Sequence, residues 1–363
     1  MRIVVTVAAL ALVAAACSPV GTSTTTSGES VDSTTPGQAP PADLPETTST
    51  TQVSTTSAEA SKETVPEPAQ VFEYAVVAEK VAGRLAIVDL APSCSSGESV
   101  CDVTPVMTVD LPARPHNIAS FGSAVYATHP SSGSLSRVDV ATGDLLTEKV
   151  GREPHDVKYD AASGEIVVAD EAGRKLLKID PESLEVLGTV DLPGEPHDFI
   201  VAGDVIWVTL IGRSELIRVV GDQVEIMAAG GSPHDLIMDG TGSIWYSNWG
   251  SKRLNIFDPV TGITPEAPAG VGEPQHFAIG PDGAVWISDI AAGAIVGFTS
   301  EEPQIVPVGD SPHHLAFLGD TIVVAVSGSG EAVFVRDGQV VGRSRLTTGL
   351  HGVAIVELST PLP

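Results

Sequence analysis

Residues 230–262 begin Gly230-Gly-Ser-Pro-His-Asp-Leu-Ile-Met-Asp-Gly-Thr-Gly-Ser-Ile-Trp-Tyr-Ser-Asn-Trp249 and continue to Asn255-Ile-Phe-Asp-Pro-Val-Thr-Gly262. Short apolar runs are separated by Gly-containing turns, and none is long enough for an amphipathic helix. The stretch therefore predicts a succession of short antiparallel strands. The first strand opens on Pro-His-Asp, the second carries Trp, and the third ends in Phe-Asp.

The same pattern recurs along the chain. Its markers are His116, His155, His197, His234, His276, His313 and His351, spaced 37 to 42 residues apart. A period near 40 with four short strands per repeat predicts an all-β, seven-bladed β-propeller. One strand follows His351, and three precede His116, over 72–79, 84–90 and 106–111. Three plus one makes the last blade, and this closure removes the open sheet edge. The propeller is expected over 70–358.

Composition agrees. The chain has 36 Gly and 27 Pro, and 46 Asp and Glu against 19 Lys and Arg, for a net charge of -27. That charge disfavours phosphate binding, so no nucleic-acid partner is expected. Residues 1–16 read as an export signal, too short to anchor by itself. They end in small residues before Cys17, as in a bacterial lipobox, although Ala14 stands where Leu is usual. Cys17 is the expected lipidation site. The protein is then exported and held at the outer face of the cell envelope through lipid alone. Residues 17–69, rich in Ser, Thr, Pro and acid, form an extended tether that cannot bury enough apolar surface to order. Cys94 and Cys101 lie in one Ser/Gly segment with no second cysteine pair to complete a thiolate metal site. A local disulfide is expected outside the cytoplasm.

The histidines carry the functional signal. Eight of the nine stand at the start of an innermost strand: His116, His155, His197, His234, His276, His313, His314 and His351. Converging neutral imidazoles call for a proton or a metal. The competing explanation is that each merely caps its strand, a task usually given to Ser, Thr, Asn or Asp. The repeat is imperfect. Gln275 takes the marker slot before His276, His313 and His314 are adjacent, and His351 follows Leu350 rather than Pro. Alternation along a strand would turn His276 and His314 away from the others unless the strand start is irregular. Antiparallel pairing brings a second set to the same mouth: Glu79, His129, Asp170, Leu210, Asn248, Asp289 and Ser327. Of these, Glu79, His129, Asp170 and Asp289 are candidate catalytic residues that would ligate, orient a ligand or move protons. Asp156, Asp198 and Asp235 are expected to bond turn backbone or a neighbouring blade.

Two family resemblances follow. The blade pattern, especially Pro233-His-Asp-Leu236 to Trp245-Tyr-Ser-Asn248, resembles virginiamycin B lyase and the wider lactonase-like propellers. That resemblance implies a metal-assisted elimination opening an ester-linked ring, with one divalent ion such as magnesium. The Glu of the lyase's Trp-Phe-Thr-Glu motif is Asn248 here, or Asp289 one blade on, and the lyase does not carry a histidine in every blade. The gathering of about seven channel-mouth histidines, one pair adjacent, resembles the catalytic domain of nitrous oxide reductase. That implies a copper cluster bridged by sulfide, a small-molecule substrate and, with no cupredoxin domain here, an external electron donor. An all-imidazole donor set itself favours copper over magnesium or calcium. A non-catalytic surface-binding propeller is the third reading, and the oligomeric state stays open.

Overall fold

A computed structural model describes residues 70–89, 100–265, 267–298 and 302–362. The leader, Cys17, the tether and Cys94 lie outside the described residues. Every regular element among those described is a β-strand. The strands form seven sheets arranged as blades, and the first strands of successive blades neighbour one another around the central channel.

The closing blade is the expected one. Leu350–Leu358 pairs with Phe72–Glu79, which pairs with Arg84–Asp89, and Pro105–Asp110 follows outside. The C-terminal strand is thus innermost and the N-terminal strands complete its sheet. Gly352 makes this fit: a Cβ there would lie 2.8 Å from the amide nitrogen of Ile118 in the next blade.

Two blades depart from four strands. The one opening at Pro233 has three: Pro233–Met238, Ile244–Asn248 and Arg253–Phe257. The segment beyond carries Pro259, Pro265 and Pro268, which lack the amide donor a fourth strand needs. The blade opening at Pro312 has five, because Cys101–Asp102 adds in parallel to the outer strand Gln339–Arg345. The chain leaving the closing blade therefore reaches over its neighbour before returning, and Cys101, at that crossing, is disulfide-bonded.

The core lies between blades. Side chains alternate along each strand, so each sheet presents apolar rows to both neighbours. Val76, Leu85 and Ile87 of the closing blade pack on Val125 and Val138 of the next, and Val167 and Leu176 pack on Phe199, Val208 and Ile217. Each fully buried Leu, Ile or Phe contributes about 1.5–3 kcal/mol. The channel is left to the polar residues of the innermost strands.

Candidate functional site: two polar rings at the channel mouth

Each innermost strand starts irregularly. In six blades the pairing with the second strand slips at the marker histidine, as between Pro196 and Phe199 or Pro312 and Leu315. A bulge of this kind re-aims side chains. Hydroxyls hold it in shape. Thr209 Oγ1 accepts from the Asp198 amide at 3.1 Å and donates to the carbonyl of His234 in the next blade at 2.5 Å. Thr128 does the same for Asn117 and the His155 carbonyl, at 3.1 and 2.7 Å. Ser247 and Ser288 accept from the amides of Asp235 and His276.

The result is an arc of touching imidazoles. Ring centroids stand 3.7 Å apart for His197–His234, 4.2 Å for both His155–His197 and His116–His155, and 3.9 Å for His116–His351. His351 continues to His313 at 4.3 Å and His314 at 4.6 Å, and His276 stacks on His314 at 3.3 Å. All eight predicted histidines are brought together. The arc is interrupted where Gln275 replaces a histidine, and Asp235 spans that gap. Its carboxylate accepts from or caps His234 Nδ1 at 2.9 Å and lies 3.6 Å from His276 Nδ1. Asp235 thus reaches the neighbouring blade, one of the two roles expected of it, and does so through an imidazole rather than backbone.

The histidines occupy two levels. His116, His155 and His197 line a solvent-facing depression of about 470 Å³, with Lys80, Glu171 and Trp249 on its walls. His276 and His314 instead line a cavity of about 390 Å³ further along the channel, with Asn117, Asp156, Lys158 and Asp198. These two histidines occupy the position of Asp156, Asp198 and Asp235 in other blades, so alternation does turn them inward. The bulge nevertheless keeps them in contact with the outer level: His313 Nδ1 and His314 Nδ1 are 2.9 Å apart. In the inner level the Lys158 ammonium bridges the Asp156 and Asp198 carboxylates. Asp198 also accepts from the Leu236 amide of the next blade, the inter-blade role expected of it.

Six of the imidazoles are held neutral. Burial pushes His116 down to about 2 and His313 down to about 4, and His155, His276, His314 and His351 fall well below the usual histidine range. Burial is the main cause in each; like charge on neighbouring imidazoles adds to it. Among the described residues, four buried ring nitrogens in the arc have no hydrogen-bond partner: His116 Nδ1, His197 Nδ1, His234 Nε2 and His351 Nδ1.

The second set does something else. Asp289 accepts from the Gly272, Glu273 and Ala292 amides, at 2.6, 3.0 and 3.2 Å. Asp170 takes those of Arg152 and Glu153, at 3.0 and 2.6 Å. Glu79 accepts from the Thr347 amide and pairs with Arg84. His129 is buried between the Arg114 carbonyl and Ser136 Oγ, at 3.1 and 2.7 Å, and burial lowers its pKa. The predicted register holds: Asp170 and Asp289 lie opposite Pro154 and Pro274. However, at that register the side chains fold under the turn before the innermost strand and staple it. The following residue points to the mouth instead. Glu171 Oε2 stands 3.8 Å from His155 Nε2 and 3.7 Å from His197 Nδ1. Trp249, 57% exposed, stacks on His234 at 4.1 Å. The sequence reading stopped one residue short of both.

No family model matches the chain. A virginiamycin B lyase from Nocardia farcinica is 28% identical over 197 residues, 48% of this chain and 67% of that protein. A streptogramin B lyase structure matches at 18% identity with a TM-score of 0.59, covering 66% of this chain and 86% of that one. A functionally unknown protein from Desulfotomaculum acetoxidans matches at 13% identity with a TM-score of 0.62, covering 78% and 98%. The chain is therefore a seven-bladed β-propeller related in sequence and fold to virginiamycin B lyase, with an imidazole arc at its channel mouth.

Proposed function

We propose that the arc is a transition-metal site and that the protein is an exported metalloprotein carrying more than one ion. The carrying observation is the convergence of eight imidazoles in which four buried ring nitrogens have no hydrogen-bond partner among the described residues. A buried polar atom without a partner costs about 1–3 kcal/mol, and coordination removes that cost. A capping role leaves it in place, because caps spend their polar atoms on backbone. The donor set fits copper, zinc, nickel or iron, with copper at the top of the affinity order. His116, His155, His197, His234 and His351 would hold ions from the outer level, and His276 and His314, with His313 beside them, from the inner one.

Within this reading we propose reductive chemistry on a small molecule of the nitrous-oxide type, with electrons from an external donor. Bound copper supplies the one-electron redox capacity. The chain's own residues present a largely buried imidazole donor set, six of its rings held neutral, at a solvent-facing depression. Lipidation at Cys17 and envelope attachment belong to the same proposal.

The relationship to virginiamycin B lyase supports a second reading, an elimination assisted by a single divalent ion. Glu171 beside His155 and His197 favours it, since it places at the mouth the carboxylate that Asn248 does not supply. Metal analysis of protein matured in a cell envelope, or reconstituted without air, decides between the two. More than one bound transition-metal ion per chain is expected. At most one, together with ring opening of virginiamycin B, would establish the lyase reading. No bound metal overturns both.

A further inference from the structure

We propose that the mouth holds two separate metal sites rather than one cluster: an outer carboxylate–imidazole site of His155, His197 and Glu171, and an inner all-imidazole site of His276, His313 and His314. The proposal rests on the metal-binding reading above and deepens it.

The donor atoms of each trio lie within 4.8 Å of one another, and the two trios share no residue; a third such group, His197, His234 and Asp235, draws on His197 of the outer trio, and its His234 Nδ1 and Asp235 carboxylate already meet at 2.9 Å, which leaves two independent sets. Zinc- or copper-type ions sit about 2.0–2.1 Å from imidazole nitrogen. Small side-chain adjustments within either trio therefore suffice to enclose one ion. A single cluster spanning both would have to run either through His116 and His351, or round the other side through His234 and the Asp235 carboxylate, 2.9 Å from His234 Nδ1 and 3.6 Å from His276 Nδ1. The trios also open to different spaces. The outer one faces the solvent-side depression, whereas His276 and His314 face the inner cavity.

Their chemistry differs in the same way. In the inner trio the 2.9 Å approach of His313 Nδ1 to His314 Nδ1 brings two nitrogens together that a proton or an ion must share. In the outer trio His197 Nδ1 is buried and unpartnered, and Glu171 adds a harder oxygen donor. Oxygen in one set and only nitrogen in the other makes the sites spectroscopically distinguishable and different in metal preference. His276 is as exposed as His155 and His197, so each ion would be reached from its own space, the outer one from the depression beside Trp249 and the inner one from the cavity beside Lys158. The inner ion would have the Lys158 ammonium and its two carboxylates on the wall of its cavity.

The test uses the full chain and cupric ion as the probe. Equilibrium dialysis gives bound copper, and integrated electron paramagnetic resonance gives visible spin. Expected for the unmodified chain are two coppers per molecule, fully visible, as two superimposed signals. Glu171→Gln should remove about half of the copper and one signal; His314→Gln should remove the other half and the other signal. A spin count far below the copper content signals coupled ions and overturns the two-site proposal without any variant. So does loss of all copper in either folded single variant, with folding checked by circular dichroism. Both outcomes leave the metal-binding reading intact. A chain that binds no copper overturns that reading itself.

Discussion

Asp170 shows how one residue's position misleads when its direction is not known. It stands at the end of a second strand, beside the start of the innermost strand, where an acid could serve a metal or a proton. Its carboxylate instead accepts the Arg152 and Glu153 amides. Charge-assisted bonds of this kind contribute about 1.5–3 kcal/mol each, before the cost of ordering. Asp170→Ala should therefore lower stability by about 2–3 kcal/mol in chemical denaturation and leave metal stoichiometry unchanged. Loss of metal in a stably folded variant would restore Asp170 to the site.

At the scale of the element, the deciding feature is the bulge at the start of six of the seven innermost strands. It allows neighbouring residues, His313 and His314, to meet at 2.9 Å although a regular strand would send them to opposite faces. It also gives Gln275 and His276 distinct environments: Gln275 is buried in the marker slot, and His276 stacks on His314. Exchanging the two, Gln275→His with His276→Gln, completes the regular ring while removing the inner stack. Metal binding should weaken by about 10-fold or more, as for a lost or displaced ligand partner, with the melting temperature of the metal-free protein nearly unchanged. If the histidines only cap strands, the exchange should instead be neutral or slightly stabilising, with unaltered metal binding.

The whole molecule couples this mouth to folding. His116 titrates at about 2 and His313 at about 4 in the folded chain, against about 6.5 when unfolded. Their native form is neutral, so below pH 6.5 the unfolded chain binds protons that the fold refuses. The stability they contribute is complete above about pH 6.5 and is lost as the pH falls from there towards 4 and 2. The cost is about 1.4 kcal/mol per pH unit for each such imidazole. Metal-free protein should therefore melt at markedly lower temperature at pH 5 than at pH 7, and bound metal should offset part of the difference. An unchanged melting temperature across that range would mean that the imidazoles are not held neutral by the fold.

The local order of residues was sufficient for the architecture. A repeat of strand and turn signals, counted by its histidines, set seven blades, because six of them are built from near neighbours in the chain, and the closure of Leu350–Leu358 on Phe72–Glu79, because the strands left over at the two ends complete one blade; the three- and five-stranded blades were not legible in it. It also placed eight histidines at one mouth. It could not tell which side chains face inward there, because alternation is a rule for regular strands and the mouth is where the strands bulge. Only the tertiary structure turned Asp170, Asp289, Glu79 and His129 under their turns, brought Glu171 and Trp249 to the imidazoles, and put Asp235 across the gap left by Gln275. These pairings form between blades or across irregular turns, where the direction of a side chain is set by packing around the closed ring rather than by its place in the repeat.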